Sequence, residues 1–376
     1  MRRSWLAVAI LAVVVLTPAP AAAATGSVRL ADTATAVPGS YLVVLKKAVD
    51  RTGALAARYD GSVTRTFDAV HGFEAALSPR QARRLAADPA VAFVEQNQAV
   101  SLAAAAPSWG LDRIDQRDLP LTSTFTAAGT GADVTAYIID TGLLYSHTDF
   151  GGRAGLGHDA IGGYGNDCNG HGTHVAGTVG GSTYGVAKQV TLVGVRVLNC
   201  SGAGTTAGVI AGVDWVTAHA ARPAVANLSL GVPASEALDA AVNASIASGI
   251  TYTVAAGNAN TDACTISPAR VPAALTVGAT TSTDARAPFS NSGTCLDLFA
   301  PGTAITSDWC TGDTATNVLH GTSMAAPHVT GAAALVLSRH PDWTPAQVQD
   351  ALLTAATPDK VTNAGAGSPN RLLFTG

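Results

Sequence analysis

The stretch AYIIDTGLLYSHTDF, Ala136 to Phe150, carries an apolar run into Asp140, and Thr141-Gly142 then turn the chain. An acid at that point has three readings. It is a plain turn residue bonding its own backbone while Gly142 supplies the bend. It is one half of a carboxylate pair sharing a proton. Or it is the acid that orients a histidine beside a nucleophilic serine. The carboxyl end of a strand is where open α/β sheets place their ligands.

Working outward, the segments DVTAYIID, VTLVGVRVL, AVANLSL, GITYTVAAG and ALTVGAT are short β-branched runs, as a buried parallel sheet requires. Helical segments alternate with them over 171–180, 205–218 and 235–248. SMAAPHVTGAAALVLSRH is apolar all round and rich in small residues, which predicts a buried central helix. Thr344, Pro345 and Gln347 form a capping box with proline at the first helical position. The organisation from Trp109 onward is α/β.

The chain before it reads differently. Residues 1–24 carry Arg2 and Arg3, an apolar core and small residues before Thr25, the pattern of a secretory signal peptide. Residues 38–100 read as a compact βαββαβ unit: a strand over 40–46, a helix over 49–60 despite Gly53, and strands SVTRTFD and HGFEAAL joined tightly at Ala69-Val70. A second helix follows, opened by the Ser78/Gln81 capping box with Pro79, and AVAFVEQNQAV closes the sheet. SLAAAAPS, 101–108, lacks periodicity and reads as an exposed linker open to proteolysis. Residues 25–103 hold nine Lys/Arg against seven Asp/Glu, whereas 104–376 hold 11 against 19. Opposite net charges favour association of the two parts. Neither has the basic stripe of a nucleic-acid binder, and no later stretch is long and apolar enough for a membrane span.

The chain has five cysteines. In an exported protein these are read first as disulfides, and an odd number leaves at least one outside a pair.

The carboxylate-pair reading needs a second Asp-Thr-Gly or Asp-Ser-Gly, and the sequence has none. In NDCNGHGTHVAGTVGG, Cys168, His171 and His174 mimic a zinc-ligand spacing, yet no further Cys/His pair follows to complete it. The alternative is a helix whose histidines are core or cap residues. Glycines 170, 172 and 177 suit close approach of another backbone or a substrate. In LHGTSMAAPHVTG, Ser323 opens the apolar helix. It is an N-cap, or a nucleophile placed where the helix terminus favours negative charge.

Asp, His and Ser in that order along the chain is the order of subtilisin rather than of the other serine-protease triads. With IIDTG, NGHGTHVAG, AAGN and GTSMAAPHV, the chain from Thr35 to Phe374 resembles the subtilisin-like serine proteases, within them the secreted proteinase K-like branch close to aqualysin.

The resemblance implies a three-layer α/β fold with a central, mainly parallel sheet, preceded by a small α+β, ferredoxin-like propeptide domain. The expected divisions are a signal peptide over 1–24, a propeptide over 25–103 and a peptidase domain over 104–376. Ser323 is the implied nucleophile, His171 the base and Asp140 its orienter. Asn258 supplies the oxyanion hole with the Ser323 N–H; read from sequence alone, Asn258 is equally a left-handed turn residue after Gly257. Ser201, Gly202, Ala203 and Gly204, with Ser229, Leu230 and Gly231, pair with an extended peptide. Ala255, Ala256 and Gly257 line an uncharged S1 pocket, which implies broad specificity.

The resemblance also implies disulfides Cys168–Cys200 and Cys264–Cys295, with Cys310 as the free thiol. It implies structural calcium at Asp297 with the Pro272 and Ala274 carbonyls. A second site at Asp112, Asp115 and Gln116 is incomplete, because Thr122 and Thr124 stand where relatives have Asp and Asn. No catalytic cofactor, nucleic acid or membrane is implied. The expected partners are polypeptide substrates and the chain's own propeptide, acting as chaperone and inhibitor and cut within 99–106; the enzyme is expected to be a monomer. The rivals are a catalytically silent scaffold that binds without cleaving, and a zinc hydrolase.

Overall fold

The structure, a computed structural model, describes residues 25–31, 36–47, 52–67, 71–98 and 104–376. The leader, the Ala69-Val70 connection and most of the expected cleavage segment lie outside them. The chain divides into two compact units, Met1–Ser101 and Leu102–Gly376.

In the first unit an antiparallel sheet runs in the order Val91–Gln98, Ala36–Leu45, Gly72–Ala76, Ser62–Phe67, with Val28–Arg29 added in parallel at the Val91 edge. Helices α1 (Thr52–Ala57) and α2 (Pro79–Leu85) belong to this unit, and Leu55 and Leu85 join Tyr41, Val43, Phe73 and Val94 in its core. Helix α1 ends at Ala57, three residues before its sequence pattern predicts, as Asp60 adopts a left-handed conformation (φ 58°) in the turn that leads into the next strand; the expected start over 49–51 lies outside the described residues. The Ser78/Gln81 capping box is formed in full.

The second unit begins with a short pairing of Ala104–Ala105 with Thr124–Phe125, so the predicted linker is structured at its C-terminal end. Helix α3 (Trp109–Ile114) follows. The main sheet runs Thr357–Pro358, Arg371–Leu372, Leu298–Pro301, Leu275–Thr280, Thr251–Ala255, Ala224–Leu228, Thr135–Asp140, Thr191–Arg196, Ala154–Asp159. All its pairings are parallel except that of Thr357–Pro358.

Helices α4 (His171–Gly180) and α7 (Thr322–Arg339) cover one face of this sheet; α5 (Thr206–His219) and α6 (Glu236–Ala247) cover the other. Successive residues therefore enter opposite layers. Ile138 packs with Val175, Val179 and Val329, whereas Ile139 packs with Val213, Val216 and Leu238. Burial on both faces explains why the strands read as unbroken apolar runs. Helix α8 (Pro345–Ala355) has the predicted Thr344/Gln347 box.

Asp308, wholly buried at the end of the Ile305–Asp308 strand, hydrogen-bonds to nothing else through either oxygen among the described residues, apart from its contact with Asp149. Burial pushes its carboxyl up to about 8, the Asp149 charge and hydrogen bond add to the rise, and Arg153 opposes it. The His147 Nδ1 stands 3.6 Å away. A carboxyl raised in the folded state stabilises fully only below its unfolded value of 3.8, and the contribution is lost as pH rises toward about 8. Asp308→Asn is expected to raise the melting temperature progressively more as pH increases from 4 to 8. A gain that does not grow with pH overturns the assignment.

Candidate active site

Asp140 ends its strand wholly buried, and its Oδ1 accepts the Thr141 N–H at 2.7 Å, so the turn chemistry legible in the sequence is present. The same carboxylate meets a second partner. Both oxygens approach the Nδ1 of His171, at 2.8 and 2.9 Å. Helix α4 begins at His171, and a Cβ at Gly172 would run into the Gly142 carbonyl, so only glycine lets this helix sit against the turn.

Asp167 fixes the approach. Its Oδ1 accepts from Asn169 N, Gly170 N and Thr141 Oγ1, and its Oδ2 from the Thr173 N–H and hydroxyl. Sequence reading passed over Asp167. Its signal was an acid just ahead of a helix whose N-cap, Gly170, has no side chain. Burial pulls the His171 imidazole down; the Asp140 charge and hydrogen bond, with Asp167 behind them, more than reverse this and leave it above the ordinary histidine value.

Ser323 lies in the first turn of α7. Its hydroxyl donates to the Ser229 carbonyl at 3.1 Å, and the Ser229 hydroxyl donates back to the Ser323 carbonyl at 2.8 Å. Asn258 Oδ1 accepts from the Thr322 N–H (2.8 Å) and hydroxyl (2.9 Å), which leaves the amide nitrogen to donate elsewhere. A Cβ at Gly321 would stand 3.5 Å from both Asn258 Nδ2 and the Ser323 nitrogen, so the two nitrogens flank the same point beside Gly321. Positive φ falls on Gly257 and Asn260 rather than on Asn258, which removes the left-handed turn reading of Asn258.

A groove of about 470 Å³ beside His171 is lined by Ser201, Gly202, Gly204, Ser229, Leu230 and Gly231, among others. Ala203 is exposed next to it, and Ala255 and Ala256 lie outside its lining, 3% and 0% exposed. Gly257 donates its N–H to Thr322 Oγ1. Cys168–Cys200 joins the loop ahead of α4 to one wall of the groove, Cys264–Cys295 closes a second loop, and Cys310 is free and half-buried. Burial raises the Cys310 thiol, and Asp167 adds to it.

The zinc-like spacing dissolves. Cys168 is in a disulfide, and buried His174 has its Nε2 on the Ile305 carbonyl. Burial lowers His174 to about 4, and His328 likewise. Among the described residues no group of three or more His, Cys, Asp or Glu side chains is arranged to hold a metal.

The Subtilase family profile matches residues 131–373, a span holding Asp140, His171 and Ser323. The chain belongs to the subtilase family.

A second profile, Peptidase inhibitor I9, matches residues 40–103. An extracellular serine proteinase of Thermus sp. (strain Rt41A) is 52% identical, with 99% of this chain and 98% of that protein covered. The alkaline serine exoprotease A of Vibrio alginolyticus is 51% identical over 88% of this chain and 63% of that protein. A cold adapted subtilisin-like serine proteinase of known structure is 55% identical, covering 71% of this chain and 97% of that one, with a TM-score of 0.69. This subtilase is a serine endopeptidase with an inhibitor-type propeptide domain ahead of the peptidase domain. No helix among its described residues is long and apolar enough to cross a membrane.

Proposed function

We propose that the chain is exported, removes residues 25–103 by its own activity, and then hydrolyses polypeptides with broad specificity as a monomer. Ser323 Oγ attacks the scissile carbonyl. His171 Nε2 takes its proton and passes it to the leaving amine. Asp140 holds Nδ1–H toward itself and stabilises the imidazolium. The oxyanion is met by Asn258 Nδ2 and the Ser323 N–H, at the terminus of α7 where negative charge is favoured.

The extended peptide pairs with Ser201–Gly204 and Ser229–Gly231 through main-chain bonds. Ala255–Gly257 border S1 through backbone, because the two alanine side chains face the core. The observation that carries this reading is the double approach of the Asp140 carboxylate to His171 Nδ1, which points Nε2 away from it. Catalysis needs no cofactor on this reading.

The intact mass of the secreted product, wild type beside Ser323→Ala, tests it. Wild type should lose 25–103 and Ser323→Ala should keep it covalently. Identical processing of both would mean an outside protease and would favour the silent scaffold.

On this reading calcium is held at Asp297 rather than at the Asp112 cluster, where Thr122 and Thr124 supply no carboxylate or amide oxygen. Burial pushes the Asp297 carboxyl up to about 6, with only partial relief from the Thr276 N–H and Gln349. A divalent cation held there with the Pro272 and Ala274 carbonyls would offset that burial. Asp112 already accepts from Thr122 N, Thr122 Oγ1 and Ser123 N, and Asp115 from Thr126 N. Calcium at 100 times its Kd should add about 2.7 kcal/mol. That rise in melting temperature should vanish in Asp297→Asn. An equal rise in the variant places the ion elsewhere.

A further inference from the structure

Pro327 stands inside the first turns of α7 and has no N–H to give the carbonyl four residues back, that of Ser323. The nucleophile's own carbonyl thus loses its helical partner in a part-buried setting. The Ser229 hydroxyl replaces it, at 2.8 Å. Behind Ser229 runs a chain of hydrogen bonds. Asn227 Nδ2 donates to Ser229 Oγ at 2.8 Å, Thr330 Oγ1 to Asn227 Oδ1 at 2.9 Å, and the Thr253 hydroxyl meets that of Thr330. Asn227, Thr253 and Thr330 are 0% exposed, and Ser229 is 3% exposed. These residues come from two neighbouring sheet strands, the turn after the first of them, and α7, so the chain ties the sheet to the turn that carries Ser323.

We propose that Asn227, acting through the Ser229 hydroxyl, is a positioning residue for the nucleophile. Its amide leaves the Ser229 oxygen one proton to donate and aims it at the Ser323 carbonyl. The Thr330 and Thr253 hydroxyls, 2.9 and 3.4 Å from Asn227 Oδ1, in turn set which end of the Asn227 amide faces Ser229. Without the chain, the first turn of α7 regains rotational freedom at the carbonyl that Pro327 leaves bare, and Ser323 Oγ and N–H shift together relative to His171 and Asn258. A misplacement of about 1 Å is enough to cost about 10²-fold in rate.

The inference deepens the proposed function and rests on Ser323 as nucleophile. Activity surviving in Ser323→Ala would sink that reading first. An inactive Ser323→Ala beside unaffected positioning variants would sink the inference alone.

The test is a double-mutant cycle on the mature enzyme. Ser229→Ala, which keeps the backbone carbonyl, and Asn227→Leu should each lower kcat and the rate of fluorophosphonate labelling about tenfold or more, with KM within about twofold. Because both act on one bond, the double variant should be no slower than Ser229→Ala. A merely structural role would lower the melting temperature and leave kcat per folded molecule alone. Either single variant with wild-type kcat, or losses that multiply in the double, overturns the proposal. If Asn227→Leu does not fold, Thr330→Val reads the same chain two bonds away. It should show a smaller loss in kcat that Thr330→Ser restores, and unchanged kcat in Thr330→Val would then count against it.

Discussion

Mature enzyme carrying Asp140→Asn is expected to cleave peptides about 10⁴-fold more slowly at neutral pH, with its fold intact. The direction of the amide follows from the turn. Thr141 N–H already donates to Asp140 Oδ1, so the amide oxygen would keep that place and the NH₂ would take the place of Oδ2, 2.9 Å from His171 Nδ1. Nδ1 would then accept rather than donate, the ring proton would move to Nε2, and the base would arrive already protonated. The loss should fall on kcat, because Asp140 does not line the groove beside His171. Steady-state kinetics beside a thermal melt decide the matter. Near-normal turnover with an unchanged melt would remove Asp140 from the role of orienter.

Arg113→Met is expected to cost about 3–5 kcal/mol of stability. The guanidinium is wholly buried and grips Asp284 with two bonds, Nε to Oδ1 at 2.6 Å and Nη2 to Oδ2 at 3.0 Å. It also donates to the carbonyls of Gln116 (2.7 Å) and Arg117 (3.2 Å). Removing it strands a carboxylate and two carbonyls together. Asp284 has φ 61°, a conformation asparagine tolerates, so Arg113→Met/Asp284→Asn should recover part of the loss by discharging the orphaned acid. Denaturant unfolding in a Ser323→Ala background, free of self-digestion, measures both. An Arg113→Met midpoint equal to that of the parent would mean that water replaces the lost partner.

What the sequence disclosed was local or periodic. The two capping boxes are spelled out in four residues each, and both are formed. The strand that ends at Asp140 and the helix that begins at His171 were readable because apolar runs and glycines mark where a chain stops and where it is approached. The four-residue strand Leu298–Pro301 was not, since it is too short to show a period. Nor was the fate of Ala255 and Ala256. In a sheet covered on both faces, alanines at a strand end belong to the core on either side, and both are buried there.

The contacts behind Ser323 were the least legible. Asn227 reaches Thr253 across 26 residues and Thr330 across 103, and no local pattern encodes which buried hydroxyl meets which amide. A threonine within an apolar helix reads as tolerated polarity until its partner is seen.

Asn227 also heads the tripeptide Asn227-Leu228-Ser229, the acceptor pattern for N-linked glycans. Its side chain is wholly enclosed in the folded enzyme. A host that attaches sugar during translocation would meet this asparagine before the sheet has closed around it, and a glycosylated Asn227 has no route into its place. Production in such a host should divide the chain into an unmodified, foldable fraction and a sugar-bearing fraction that never matures. The exposed Asn199 and Asn243, which head the same pattern, would carry glycans without that penalty.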